Sequence, residues 1–106
     1  MAEWIDVAPE SALGPGKRKI IDTYAGEIAV FNLSGNLYAI EDVCTHDDGE
    51  LASGEVDGDQ IICPRHAARF CIRSGKALTP PAYEDIQTFP VRIENGTVQV
   101  DIECWW

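Results

Sequence analysis

Histidine is nearly absent from this chain: 106 residues hold only two, beside four cysteines. Basic residues are scarce as well. Eight lysines and arginines face 18 aspartates and glutamates, a formal net charge of −10 at pH 7. A surface that acidic repels phosphates and excludes DNA and RNA as partners. It favours a basic patch on another protein, approached at a rate that falls with salt; the same charge also keeps a protein soluble. No apolar run approaches the roughly 20 residues that cross a bilayer, so no membrane span is expected. The N-terminus, Met1 to Asp6, lacks a basic flank followed by an apolar stretch. No secretory signal is expected there, and the cytoplasm is the expected location. No segment sustains a 3.6-residue period, and there is no internal repeat or low-complexity tract. The one helical candidate, Pro9 to Leu13, amounts to a short turn.

What the chain does have is β-rich runs separated by turns. Trp4 to Val7 alternates and reads as an edge strand, followed by a loop whose Gly14-Pro15-Gly16 is a strong breaker. Lys17 to Thr23 and Glu27 to Leu33 join around Ala25-Gly26, and Ser34-Gly35-Asn36 turns the chain into Leu37 to Val43. Near the end, Thr88 to Glu94 and Thr97 to Glu103 flank Asn95-Gly96, a pair that tolerates positive φ at both positions and so favours a tight hairpin. Between these hairpins, roughly 42–83, the composition changes. That stretch holds three of the four cysteines, both histidines and many of the glycines. The expected fold is therefore all-β and the expected organisation a single domain, 1–106. A small antiparallel base from 1–41 and 84–106 would carry an inserted metal-binding lobe.

Both histidines and two of the cysteines fall in two short motifs, Cys44-Thr45-His46 and Cys63-Pro64-Arg65-His66. Taken singly, a cysteine is commonly a small buried residue and a histidine a hydrogen-bonded surface or core residue. Two Cys–His pairs with no histidine elsewhere point to a metal site instead. Without a secretory signal, a disulfide framework is disfavoured. Two metal readings remain. Two cysteines and two histidines could bind one structural Zn²⁺, yet zinc-finger spacing usually groups like ligands together. Mixed loops suit a binuclear centre in which one iron takes both sulfurs and the other both nitrogens.

That pattern resembles the Rieske signature, and the surroundings resemble the ferredoxins of bacterial aromatic-ring dioxygenase systems. The likeness is carried by the two motifs, by Arg69-Phe70, by Ser74-Gly75-Lys76-Ala77, and by Phe89-Pro90-Val91 with the hairpin after it. The resemblance implies a Rieske fold with one [2Fe–2S] cluster. Cys44 and Cys63 would bind the inner iron, and His46 and His66 the outer iron near the surface. It implies a one-electron carrier rather than an enzyme, taking electrons from a flavin- or NAD(P)H-dependent reductase and passing them to a terminal oxygenase. No 2-His-1-carboxylate site for a mononuclear iron is left over, since both histidines are committed. The alternative in another class is a Rieske small subunit of a larger redox enzyme such as nitrite reductase; a zinc module is more remote.

Two thiolates and two neutral imidazoles bring an oxidised +2 core to about zero charge, which places Rieske potentials in a range of roughly −150 to +300 mV. By the resemblance, respiratory members carry a disulfide across the cluster and Ser and Tyr hydroxyls aimed at sulfur. The corresponding positions here are Gly49 and Arg65, then Ala68 and Phe70. None supplies those groups, so the low end of the range is expected.

Outside the ligand set, Cys71 stands where related ferredoxins usually have Asp. It reads as a small buried residue on a strand, or as a weak S–H donor near the cluster. Cys104 has no partner motif, and a Cys71–Cys104 disulfide does not suit the expected compartment. Pro80-Pro81 resembles the rigid loop that covers Rieske clusters, and Leu51 is expected beside the first ligand loop. Asp47, Asp48, Glu50, Glu55, Asp57 and Asp59 make the intervening segment acidic, within pairing reach of Arg65 and Arg69. Trp105 and Trp106 would pack on the base or meet a partner or second subunit.

Overall fold

The run Ile28-Ala29-Val30-Phe31 has no polar alternation, the pattern of a strand covered on both faces. The computed structural model, which describes residues 2–45, 49–65, 67–80 and 84–103, places it there. Ten strands occur among the described residues: β1 (Trp4–Pro9), β2 (Arg18–Thr23), β3 (Gly26–Leu33), β4 (Asn36–Glu41), β5 (Val56–Asp57), β6 (Gln60–Ile62), β7 (Arg69–Cys71), β8 (Thr88–Phe89), β9 (Val91–Glu94) and β10 (Thr97–Asp101). They form three antiparallel sheets in the orders β1-β10-β9, β2-β3-β4-β8 and β5-β6-β7. A single 3₁₀ turn, Glu10–Ala12, is the only helical element among the described residues. The all-β expectation holds.

β3 is central to the packing. Ile28 and Val30 point to one side, where they meet Val98, Val100 and Ile102 of the first sheet's layer. Ala29 and Phe31 point to the other, where they meet Ile61, Phe70 and Ile72 of the third sheet's layer, together with Cys44 and Cys63. Each large aliphatic or aromatic side chain so buried contributes about 1.5–3 kcal/mol relative to exposure.

Turn chemistry sets the registers. Ser34 and Gly35 adopt φ of 55° and 97° between β3 and β4, with Leu33 paired to Asn36. Asn32 fastens that hairpin, its side-chain carbonyl accepting the Gly35 N–H at 2.8 Å and its amide donating to the Leu13 carbonyl at 2.9 Å. Asn95 and Gly96, at 51° and 78°, turn β9 into β10 with Glu94 opposite Thr97.

One expectation needs correction. Thr88 to Glu94 is not one strand. Pro90 lacks an N–H and breaks it, so β8 joins β4 while β9 joins β10 in a different sheet. Trp4 to Val7 is an edge strand as expected and runs on to Pro9.

The third sheet is attached to the second through Arg18. Its Nη1 donates to the carbonyls of Ala52 and Gly54 at 2.6 and 2.7 Å, and its guanidinium sits over the Phe31 ring, 5.6 Å from the centroid. Gly54 lies so close to the Ile62 backbone that a Cβ would overlap the Ile62 carbonyl oxygen. Gly54→Ala is therefore expected to destabilise the fold by about 1–3 kcal/mol through forced backbone displacement. Urea denaturation measures this, and an unchanged midpoint would show that the contact gives way freely.

Candidate metal centre

Cys44 comes three residues after β4 and Cys63 directly after β6. Each opens a loop closed in the same way. The Cys44 N–H donates to the Gly49 carbonyl and the Cys63 N–H to the Ala68 carbonyl, both at 2.8 Å. The two loops thus span the same number of residues. In the second, Ala67 donates back to the Cys63 carbonyl at 3.0 Å and takes a left-handed φ of 59°. For a residue with a Cβ that conformation costs about 1–2 kcal/mol, so the surrounding bonds must hold it.

Both cysteines are buried, 0% and 2% exposed, and neither is in a disulfide. They share one core cluster with Leu51, Ala52, Ala68 and Phe70, which places Leu51 beside the first loop as expected. Asp42, at the end of β4, closes the first loop from below. Its Oδ1 accepts the N–H groups of Leu51 and Ala52 at 2.7 and 2.6 Å. Its Oδ2 is buried with no N–H or O–H donor among the described residues, unless the neighbouring Glu27 carboxyl carries a proton. Hydrogen bonding to Asp42, then burial, then the charges of Asp42 and Asp22 push Glu27 up to about 7. Sequence reading passed over Asp42 among so many acids. The available signal was a carboxylate two residues before a ligand motif, where Asp commonly collects backbone N–H groups.

The far side of the first loop is also tied down. Thr45 Oγ1 donates to the Glu84 carbonyl at 2.7 Å, and Thr79 Oγ1 accepts the Arg69 N–H at 2.9 Å. Those bonds hold both flanks of the segment that begins at Pro80; Pro81 lies outside the described residues. The arginines find acidic partners as expected. Arg65 Nη1 lies 3.8 Å from Glu50, Arg69 2.9 Å from Asp57, and Arg73 Nε 3.6 Å from Asp59. Exposed pairs of this kind contribute about 0–1 kcal/mol each.

Cys71 ends β7 half-buried and in no disulfide among the described residues; Cys104, the other cysteine of that candidate pair, lies outside them. Burial pushes the Cys71 thiol up, but the Ser74 hydroxyl and the N–H groups of Ser74 and Arg73 outweigh burial, and the net direction is down. His46, His66, Asp47, Asp48, Cys104, Trp105 and Trp106 lie outside the described residues. Among the described residues no three His, Cys, Asp or Glu side chains gather into a metal site. The structure brings the two cysteines into one buried cluster; the imidazoles enter through the motif alone. Two buried cysteine sulfurs in an apolar floor are soft donors, and they fit the thiolate side of an iron–sulfur centre.

Paired cysteine-bearing loops over one apolar floor, carried by antiparallel sheets, fit an iron–sulfur β protein. The chain belongs to the Rieske [2Fe–2S] domain family, which matches residues 3–90. It is 38% identical over 99 residues to the 3-phenylpropionate/cinnamic acid dioxygenase ferredoxin subunit of Shigella flexneri serotype 5b, covering 92% of each chain. It is 37% identical over 100 residues to the ferredoxin component of the naphthalene 1,2-dioxygenase/salicylate 5-hydroxylase systems of a Ralstonia species, covering 94% of this chain and 96% of that one. Its fold superposes with a TM-score of 0.86, at 31% identity and 92% coverage of each chain, on a chain in the complex of reduced oxygenase and oxidised ferredoxin of carbazole 1,9a-dioxygenase. The cofactor is one Rieske-type [2Fe–2S] cluster, and the chain is an electron-transfer component rather than a catalyst. The zinc reading is set aside.

The Glu27–Asp42 pair has a pH consequence. A carboxyl raised from 4.5 to about 7 binds its proton more tightly in the folded chain. It lends stability at low pH that is lost as pH rises from the unfolded value through the folded one. Glu27→Gln is expected to flatten that decline and to be more stable than the wild type at pH 8. Denaturant midpoints at pH 5 and pH 8 measure it; an identical pH slope in both proteins would show the pair is not proton-linked.

Proposed function

We propose that this chain carries single electrons from a flavin- or NAD(P)H-dependent reductase to a terminal ring-hydroxylating oxygenase. The observation that carries the reading is the pair of equal loops, each burying one cysteine over a common apolar floor. When bound, the cluster supplies a one-electron couple whose potential its ligands and neighbours set. Cys44 and Cys63 would hold one iron from the buried side, and His46 and His66 the other. The segment 42–83 acts as the cluster-binding lobe on a base of 1–41 and 84–106. Cys44, Cys63 and Cys71, none of them in a disulfide, suit a reducing cytoplasm.

The protein's own part is to anchor, shield and tune. The bonds from Thr45 and Thr79 hold both flanks of the Pro80 segment. Ala68 and Phe70 are both fully buried beside the cysteines and offer no hydroxyl to sulfur. With no such donor, an added electron is stabilised less. The acidic surface, −10 in all, speeds encounter with basic partner surfaces and weakens as salt screens it.

Cys44→Ala and Cys63→Ala are each expected to abolish cluster assembly, read from iron and sulfide content and the visible spectrum. Full cluster content in either variant would overturn the ligand assignment. The wild-type midpoint is expected at the low end of the Rieske range, towards roughly −150 mV. A titration that places it well above zero would refute the tuning argument. His46→Cys or His66→Cys, where a cluster still forms, should lower the midpoint further, because a thiolate replaces a neutral donor. Transfer to an oxygenase, followed by stopped flow, should slow as salt rises; a salt-independent rate would remove the role given to surface charge.

A further inference from the structure

We propose that Arg65 is a positioning residue that straps the two ligand loops together; this rests on the ligand assignment above. Each loop's own hydrogen bonds close that loop, and the shared core fixes their roots. A contact between the loops beyond the cysteines would add to both. Arg65, two residues after Cys63 and next to His66 in sequence, reaches across to the first loop. Its Nη2 donates to the Glu50 carbonyl at 2.7 Å, and its Nη1 lies 3.8 Å from the Glu50 carboxylate. Its guanidinium also occupies the space over Gly49. A Cβ there would stand 2.6 Å from Cζ and Nη2 and 2.9 Å from Nε.

The chemistry of the side chain suits the task. A guanidinium is planar, permanently charged and rich in donors, so one group can bond a carbonyl and face a carboxylate at once. Gly49 matters here for the absence of a Cβ, not for backbone freedom, since it is not among the residues with positive φ. These are the two positions where the family resemblance places a disulfide in respiratory members. The contact performs the same joining of loops without a covalent bond, and it places a fixed positive charge between the strands of chain that carry the ligands. A cation there favours an added electron and opposes the low-potential trend set by Ala68 and Phe70.

Three variants of the cluster-loaded protein separate the effects. Arg65→Gln removes the strap and the charge, Arg65→Lys keeps the charge without the fork, and Gly49→Ala displaces the guanidinium while keeping it. Cluster release into a chelator, followed by loss of visible absorbance, is expected to accelerate about fivefold in all three, the worth of about one exposed hydrogen bond. The midpoint potential should fall in Arg65→Gln and stay near the wild-type value in Arg65→Lys. Wild-type release rates in both Gly49→Ala and Arg65→Gln, or an unshifted potential in Arg65→Gln, overturn the proposal. Thermal melting of the same samples checks that the variants are folded, since Arg65 is a surface residue. Failure of the ligand assignment has a different signature: a cluster that persists in Cys44→Ala or Cys63→Ala.

Discussion

From Ile28 to Asn32 strand β3 has no solvent face, and the rest of the molecule is arranged around that constraint. Its odd and even side chains must both find apolar partners, so one layer forms against Ile28 and Val30 and another against Ala29 and Phe31. The second of these layers is the floor on which Cys44 and Cys63 sit. A site that must hold two thiols at a fixed separation therefore inherits its rigidity from the most buried strand in the fold. Arg18 extends the attachment sideways, spending its charged head on two carbonyls beyond the sheet while its guanidinium lies over Phe31. That arrangement resembles the snorkelling of a long cation over apolar surface, used here to fasten one layer to the next.

Much of the architecture was legible in the chain because local chemistry decided it. Asn95-Gly96 and Ser34-Gly35 turn where positive φ is needed, and the strands on either side follow. The misread element shows the opposite case. Thr88 to Glu94 continues its apolar pattern across Pro90, so the run looks like one strand. The missing N–H at Pro90 marks a possible break, but the choice of different sheets for the two halves depends on β4 and β10, far away in sequence. Non-local pairing leaves no mark on a local pattern.

The site divides along the same line. Two Cys–His motifs point to the proposed ligands, because residue type and spacing are themselves the chemistry. Asp42 carries no such mark. Its half-buried acidic neighbour Glu41 accepts one backbone N–H, from Gln87, whereas the buried Asp42 gathers two, and that burial is a property of the finished fold. Gly49 and Arg65 were legible only by what they lack, a pair of sulfurs. The contact they make requires both loops to be in place.

Cys44 and Cys63 show almost no surface to water. A thiol enclosed to that degree cannot meet an iron donor arriving from solution, nor exchange its metal with a competing chelator through a simple collision. Iron and sulfide reach such sulfurs only while the chain around them is loosened. The layer of Ile28, Val30, Val98, Val100 and Ile102 includes neither cysteine, so that half of the core packs without them. The burial that shields the sulfurs in the finished fold is thus also a barrier to loading them.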